Sequence, residues 1–259
     1  MAPTLLPAPA LETRGLTIRF GGHVAVDDVS CRFMPGTLTA IVGPNGAGKT
    51  TYFNLISGQL RASAGQVLVA GRDITGLPPS TRAKRGLGRA FQLTNLFPRL
   101  TALENVRLAV QSRAEAGRSL FSVWSSRRDL IAKADAILER VRLADKRHVP
   151  PGALSHGDQR KLEVALLIAM EPKVFMFDEP TAGMSVDEVP TVLELIQDIR
   201  DRGDATVLLV EHKMDVVRSL ADRIVVLHNG ALVADGEPAA VIASPVVQEA
   251  YLGLEPSHG

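Results

Sequence analysis

A nine-residue stretch between an apolar run and a helical pattern constrains this chain more than any other feature. The stretch is Gly43-Pro44-Asn45-Gly46-Ala47-Gly48-Lys49-Thr50-Thr51. The apolar residues 38–42 before it predict a buried strand, and residues 50–60 after it predict a helix. Glycines let the backbone wrap closely around a bound group, so that several N–H groups point inward. Because a helix N-terminus also favours negative charge, the stretch predicts a site for a phosphate-like anion.

The spacing of its glycines, lysine and threonine is that of a P-loop, G-x-x-x-x-G-K-[ST]. In this motif Lys49 reaches the β- and γ-phosphates of a nucleotide, and the Thr50 hydroxyl ligates Mg²⁺. An ordinary glycine-rich turn is the alternative, but the strand before the loop and the helix after it favour the P-loop. The predicted nucleotide-binding residues of the loop are Gly43, Asn45, Gly46, Ala47, Gly48, Lys49, Thr50 and Thr51.

Two acidic residues follow a second apolar run. Residues 174–177 are all apolar, and Asp178 and Glu179 come directly after them. Two carboxylates at the end of a buried strand are costly unless they bind something. In a P-loop protein the first would hold Mg²⁺ through water, and the second would accept a proton from the attacking water. A capping Asp-Glu pair is the alternative, but beside a P-loop the pair predicts hydrolysis.

Five further residues have both a structural and a functional interpretation. Phe20 is either a core residue or a platform for an adenine ring. Gln92 is either a surface residue or a catalytic residue that ligates Mg²⁺ or orients water. His212, after the buried run 205–210, is either structural or catalytic. Ser155 and Gly157 begin a helix whose N–H groups can bind an anion, although a plain serine N-cap explains this stretch by itself.

Composition sets limits on the fold and on the partners. The 259 residues are enough for one large α/β domain or two small ones, and 46% of them are hydrophobic. The net charge of +1 gives no overall field that favours nucleic acid or anionic lipid. No run of apolar residues is long enough to span a membrane. The single cysteine, Cys31, is expected in the core. We expect residues 1–10 to form a loose leader.

Two other stretches have more than one interpretation. The basic run from Arg82 to Arg85 is interpreted as a solvated helix face, with a phosphate-binding patch as the alternative. Residues 114–128 have the composition of a mobile or partner-facing insertion. Trp124 within it is either an anchor for another protein or part of a packed helix pair.

Taken in order along the chain, these motifs resemble those of the ATP-binding cassette (ABC) family. The matching segments are residues 43–51 (Walker A), Gln92 (Q-loop), 154–159 (signature), 174–179 (Walker B), 184–187 (D-loop) and His212 (switch histidine). The resemblance implies an α/β P-loop NTPase core with a RecA-like mixed sheet, an antiparallel β subdomain and a helical signature subdomain. Residues 11–255 would form a single ABC ATPase domain, with the helical subdomain at about residues 93–170.

The resemblance also implies a mechanism with ATP and Mg²⁺ as cofactors. Two cassettes would bind ATP between them, with the P-loop of one facing Ser155 and Gly157 of the other. Glu179 would polarise the attacking water, and His212 would hold the γ-phosphate. Gln92 would sense Mg²⁺ and transmit closure to a membrane partner. Phe20 would stack on adenine, and Asp187 would contact the second cassette.

Within the family the chain is similar to the cassette subunits of branched-chain amino acid importers. The cues are residues 19–22, the serine–histidine signature, residues 180–184, the insertion after Gln92 and the tail at 250–253. Importers of urea or amides share these cues. The implied partners are a second cassette, identical or different, transmembrane permease subunits and an extracytoplasmic solute-binding protein. The implied location is peripheral, on the cytoplasmic face of the membrane.

Two other classes within the family fit the sequence less well. Soluble ABC-type ATPases that act on nucleic acid or ribosomes usually carry two cassettes or a long coiled-coil insertion, and the near-zero net charge also argues against a nucleic-acid partner. A non-hydrolysing regulatory cassette would normally lack the glutamate found at Glu179.

The signature departs from the usual Leu-Ser-Gly-Gly-Gln at two positions. His156 replaces a glycine, and Asp158 replaces the glutamine. We expect an active site because Ser155 and Gly157 are retained. A negative charge on Asp158 near a triphosphate would be unfavourable unless that side chain points away.

Overall fold

The structure is a computed structural model that describes residues 8–90, 96–113 and 128–252. The chain divides into two compact units. Unit 1 contains residues up to 87, residues 173–179 and residues from 199 onward, and unit 2 contains residues 88–172 and 180–198. The predicted limits of the single domain, 11–255, and of its helical subdomain, 93–170, stay predictions.

The strands in chain order are β1 (Leu11–Phe20), β2 (His23–Phe33), β3 (Leu38–Val42), β4 (Ala64–Val69), β5 (Arg72–Asp73), β6 (Leu87–Ala90), β7 (Val174–Asp178), β8 (Thr206–Val210), β9 (Arg223–His228) and β10 (Ala231–Gly236). The α-helices are α1 (Lys49–Ser57), α2 (Pro79–Lys84), α3 (Ala102–Arg113), α4 (Arg128–Arg140), α5 (His156–Met170), α6 (Val189–Asp201), α7 (Met214–Leu220), α8 (Pro238–Ile242) and α9 (Pro245–Leu252). Two short 3₁₀ turns, Ala144–Lys146 and Pro151–Ala153, lie between α4 and α5.

A mixed sheet in unit 1 sets the alignment of the chain segments that follow its strands. Its order is β10-β9-β3-β8-β7, and Leu87, where β6 begins, continues it beyond β7. The pairs β3–β8, β3–β9 and β7–β8 are parallel, and β9–β10 is antiparallel. Ile41 on β3 and Asp178 on β7 both pair with Val210 on β8. The carboxyl ends of these three strands therefore lie level, which is where ligands bind in sheets of this kind.

An antiparallel sheet, in the order β2-β1-β4-β5, forms the other layer of unit 1. Leu11 on β1 pairs with Phe33 on β2 and with Val69 on β4. One apolar cluster joins residues of both sheets to the buried side of α1, which includes Tyr52 and Phe53. Cys31 is buried in this cluster, as predicted, and burial raises the pKa of its thiol to about 11.

Unit 2 is largely helical. Helix α3 packs against α4 and α5, with Val106, Leu138 and Leu162 fully buried. Thr101 and Glu104 form the predicted capping box: the Thr101 N–H donates to Glu104 Oε2 at 2.8 Å, and the Glu104 N–H donates to Thr101 Oγ1 at 3.2 Å. The predicted α/β core with an antiparallel sheet and a helical part is therefore the observed architecture. Within the described ranges, no helix has the length and hydrophobicity needed to cross a membrane.

The interpretation of Arg82 as a solvated residue is wrong. Its side chain is 2% exposed, and its guanidinium donates to the carbonyl oxygens of Leu55, Ile56, Thr75 and Leu77 at 2.5–2.9 Å. Leu55 and Ile56 belong to the last turn of α1, where carbonyl groups lack partners within the helix. Arg82 therefore caps the end of α1 opposite to the P-loop, and its positive charge suits that end of the helix dipole.

Replacing Arg82 with methionine is expected to lower the free energy of unfolding by about 3 kcal/mol, because four carbonyl groups lose a charged donor in a buried place. Urea denaturation at pH 7 measures this change. Arg85→Met is the control, because Arg85 lies in the same basic run and is exposed. Equal losses in the two variants would contradict the capping role of Arg82.

Candidate functional site

The P-loop between β3 and α1 runs close to the backbone of both sheets. A Cβ atom added at Gly43 would lie 2.1 Å from the carbonyl oxygen of Leu227 on β9. At Gly48, where φ is +96°, a Cβ atom would lie 2.4 Å from the carbonyl oxygen of Ala25 on β2. Only glycine fits at either position, so the sequence of the loop fixes its path around a hollow that opens at the N-terminus of α1.

Lys49 is held inside this loop. It is 5% exposed, and its Nζ donates to the carbonyl oxygens of Gly43 at 2.6 Å and Pro44 at 2.9 Å. Burial lowers the pKa of Lys49, and the charges of Glu179 and Asp178 act in the opposite direction. The first turn of α1 adds N–H groups that have no partner within the helix. A cradle with these donors fits a polyphosphate.

Glu179 and His212 meet beyond the ends of β7 and β8. His212 Nε2 lies 2.7 Å from Glu179 Oε1. The backbone of Glu179 has φ +51°, which is unfavourable for a residue with a side chain, and its N–H donates to the Val210 carbonyl at 2.9 Å. Such strain is often kept at functional sites. Here it accompanies a pair of side chains suited to moving a proton.

A cavity of about 260 Å³ in unit 1 brings most of the predicted residues together. It is lined by His23, Ala25, Asn45, Gly46, Ala47, Gly48, Lys49, Thr50, Thr51, Glu179 and His212. Phe20 is not among the lining residues, but it pairs with His23, and its side chain is 49% exposed. Gly43 and Asp178 are also outside the lining. The cavity therefore places a proton acceptor and an imidazole beside a phosphate-sized cradle.

The predicted signature residues belong to unit 2, at the start of α5. Ser155 is the N-cap, and its Oγ accepts from the Asp158 N–H at 3.1 Å. Ser155 and His156 are exposed, whereas Gly157 is buried. The plain N-cap interpretation is therefore correct for the hydroxyl of Ser155.

The family of the chain follows from comparison with known proteins. A family model described as "ABC transporter" matches residues 26–182. The chain belongs to the ABC transporter family. It is 36% identical over 250 residues to the high-affinity branched-chain amino acid transport ATP-binding protein LivG of Escherichia coli, a match that covers 95% of this chain and 98% of LivG.

Two further likenesses to ABC proteins cover nearly the whole chain. The high-affinity branched-chain amino acid transport ATP-binding protein BraF of Pseudomonas aeruginosa is 38% identical, over 95% of this chain and 98% of BraF. The crystal structure of the ADP conformation of MJ1267, an ATP-binding cassette of an ABC transporter, superposes with a TM-score of 0.80 at 29% identity. That match covers 95% of this chain and 99% of MJ1267.

The negative charge of Asp158, at the predicted signature, is compensated within unit 2. Asp158 is 4% exposed, and its carboxylate accepts from the ammonium groups of Lys146 and Lys161. Burial raises the pKa of Asp158, but the hydrogen bonds from Lys146, Lys161 and Ser155 outweigh it and hold that pKa below its usual value. The two lysines therefore offset the negative charge of Asp158, which would otherwise be unfavourable near a triphosphate.

Some predicted residues of the cassette are not described. Gln92 and Trp124 lie outside the described residues. The other predicted Mg²⁺ ligands are Thr50, exposed in the first turn of α1, and Asp178, partly exposed at the end of β7. Among the residues with described positions, no three His, Cys, Asp or Glu side chains cluster as a metal site. The predicted Mg²⁺ ligands are of another kind, because they combine the hydroxyl of Thr50, the amide of Gln92 and the single carboxylate of Asp178.

Three residues of the site were not predicted from the sequence. His23 and Ala25 line the cavity from β2, which no local pattern indicated. Glu211, which is 3% exposed, accepts from the N–H groups of His212 at 3.1 Å and Lys213 at 3.2 Å. It therefore positions the segment that carries His212. A carboxylate directly after a buried strand, next to the candidate histidine, was the available signal.

Proposed function

We propose that this chain binds and hydrolyses ATP as the cassette subunit of an ABC importer for branched-chain amino acids. The observation that carries the proposal is the cavity in which the P-loop, Glu179 and His212 meet. Its residues have the chemistry that hydrolysis of a phosphoanhydride requires. The likeness to LivG and BraF over 95% of the chain supports the class of solute.

Lys49 and the N–H groups of the P-loop would hold the phosphates in the cradle that Gly43 and Gly48 make possible. The Nζ of Lys49 would exchange its two carbonyl acceptors for phosphate oxygens. Thr50, Asp178 and Gln92 would hold Mg²⁺ directly or through water. When bound, Mg²⁺ neutralises phosphate charge. The exposed ring of Phe20 would stack on the adenine.

Glu179 would act as the general base on the attacking water. His212 lies within hydrogen-bond distance of Glu179, so it would orient that carboxylate and also reach the γ-phosphate. Glu211 would keep His212 in place through its bonds to the backbone. Glu179 would therefore accept the proton, and the imidazole of His212 would orient the carboxylate.

We also propose that the complete site needs a second cassette. Ser155 and Gly157 would bind the γ-phosphate held in the P-loop of the partner, since exposed Ser155 caps a fifteen-residue helix whose end favours anions. Asp187 would contact that partner, and the adjacent Val186 is 86% exposed. Closure of the two cassettes would be transmitted to transmembrane permease subunits. An extracytoplasmic solute-binding protein would belong to the same system. The cassette would sit on the cytoplasmic face of the membrane.

A mixture of two inactive variants tests the shared site. Lys49→Ala removes the P-loop cation, and Ser155→Ala removes the signature hydroxyl. If sites are shared, a mixed dimer contains one site with both defects and one intact site, so mixing restores hydrolysis. The measurement is phosphate release by each variant alone and by the mixture. Mixed samples no more active than the separate variants would contradict the shared site.

The solute is tested by purifying the cassette with its own permease and solute-binding protein. Binding of leucine, isoleucine and valine to that solute-binding protein, measured by calorimetry, supports the assignment. Binding of urea or a short amide in their place would instead assign the cassette to an importer of urea or amides. Enrichment of nucleic acid or ribosomes without a permease would overturn the importer assignment.

A further inference from the structure

Glu188 directs its two carboxylate oxygens to different neighbours. It lies in the turn just before α6, and Oε2 accepts from Ser185 Oγ at 3.0 Å and from the Ser185 N–H at 3.4 Å. These bonds close the turn that precedes α6, in which the Glu188 N–H donates to the Ser185 carbonyl oxygen at 3.1 Å. The second oxygen, Oε1, accepts from Ser155 Oγ at 3.4 Å. One oxygen holds this turn, and the other faces the N-terminus of α5.

The carboxylate also covers Gly157. A Cβ atom added at Gly157 would lie 2.1 Å from Glu188 Oε1, 2.2 Å from its Cδ and 2.5 Å from its Oε2. Gly157 is buried although Ser155 and His156 are exposed. Glu188 therefore fills the space directly above the glycine whose lack of a side chain permits close approach. The bonds to Ser185 alone do not require this, because Glu104 accepts from the N–H and Oγ1 of Thr101 in the same way at α3.

We propose that Glu188 is a gate of the signature site, an internal anion that occupies the place of the γ-phosphate until a second cassette brings ATP. This inference rests on the proposed function, in which Ser155 and Gly157 bind that phosphate in trans. Two anions at the same helix end repel each other, so the carboxylate must leave Gly157 before the phosphate can approach. Its exit also breaks the bonds to Ser185, which couples opening of the signature to the D-loop.

While Glu188 occupies the signature site, it lowers the apparent affinity of the dimer for ATP. When a site is free for only part of the time, the apparent affinity of its ligand falls by that fraction. Glu188→Gln keeps a side chain of nearly the same volume, whose amide oxygen can still accept from Ser185. It removes only the charge. Glu188→Ala removes both the charge and the obstruction above Gly157.

The test uses the full chain carrying Glu179→Gln, in which hydrolysis is blocked, and measures dimer formation against ATP concentration by analytical ultracentrifugation. We expect Glu188→Gln to lower the half-saturating ATP concentration by about threefold and Glu188→Ala by about tenfold. Glu104→Gln is the matched control, because it neutralises the capping-box glutamate of α3, and it should leave the concentration unchanged. Thermal unfolding of each variant verifies folding.

The outcomes separate the gate from the shared site. A lower ATP requirement in both Glu188 variants and none in Glu104→Gln supports the gate. An unchanged or higher requirement in Glu188→Gln overturns it, and this holds even if Glu188→Ala does not fold. A background protein that stays monomeric at saturating ATP overturns the shared site itself, and the gate with it.

Discussion

Glu179→Gln is expected to slow ATP hydrolysis by about a thousandfold while ATP binding is retained, because only the proton acceptor is lost. Glutamine has nearly the same shape as glutamate and can still hydrogen-bond to His212, whose Nε2 lies 2.7 Å from the present carboxylate. An amide does not accept a proton from water at neutral pH. The nucleotide therefore stays intact between two cassettes, and the variant is expected to accumulate as an ATP-bound dimer.

Phosphate release measures the loss of turnover, and gel filtration with ATP and Mg²⁺ measures the dimer. Glu194→Gln is the control, because Glu194 is an exposed carboxylate on α6 paired with Arg142. It makes the same change in net charge away from the cavity and should leave both measurements unchanged. A Glu179→Gln protein that hydrolyses ATP within tenfold of the unaltered chain would refute the assignment of the base.

Lys49→Ala should weaken ATP binding by about a hundredfold, which corresponds to about 2.8 kcal/mol. Lys49 is the one lysine among the described residues that line the cavity, and charge-assisted bonds to phosphate are the strongest that the loop can make. Burial already lowers the pKa of this group, so part of its desolvation cost is met in the folded protein.

Calorimetric titration with a non-hydrolysable ATP analogue measures the loss. Lys84→Ala is a suitable control, because Lys84 is exposed at the end of α2. Thermal unfolding shows whether the Lys49 variant remains folded without the bonds to Gly43 and Pro44. Equal affinities of the Lys49 and Lys84 variants for the ATP analogue would contradict the assignment of residues 43–51 as a P-loop.

Local patterns predicted the elements that carry the site. The apolar run before Gly43 forms β3, the run before Asp178 forms β7, and the Thr101–Glu104 pattern begins α3. These features follow from periodicity and from capping chemistry, which act over a few residues. The predicted helix at 186–202 begins instead at Val189, after a turn in which the Glu188 N–H donates to the Ser185 carbonyl oxygen.

The partners of charged side chains could not be predicted in this way. Arg82 reaches carbonyl groups up to 27 positions away, and Asp158 pairs with Lys146 twelve positions away. Whether a charge is solvated or paired depends on what tertiary packing brings beside it, which a local window does not contain. The same holds for the place of Glu188 above Gly157, 31 positions away in the sequence.

The shared partner of Ile41 and Asp178, Val210, has a consequence for how this cassette can change during evolution. A single-residue insertion in β8 would displace His212 by about 3.3 Å along the strand and reverse which face each neighbouring side chain occupies. Substitutions on the strands leave that alignment intact. Lineages of this protein should therefore vary in strand composition and loop length while keeping the lengths of β3, β7 and β8 constant.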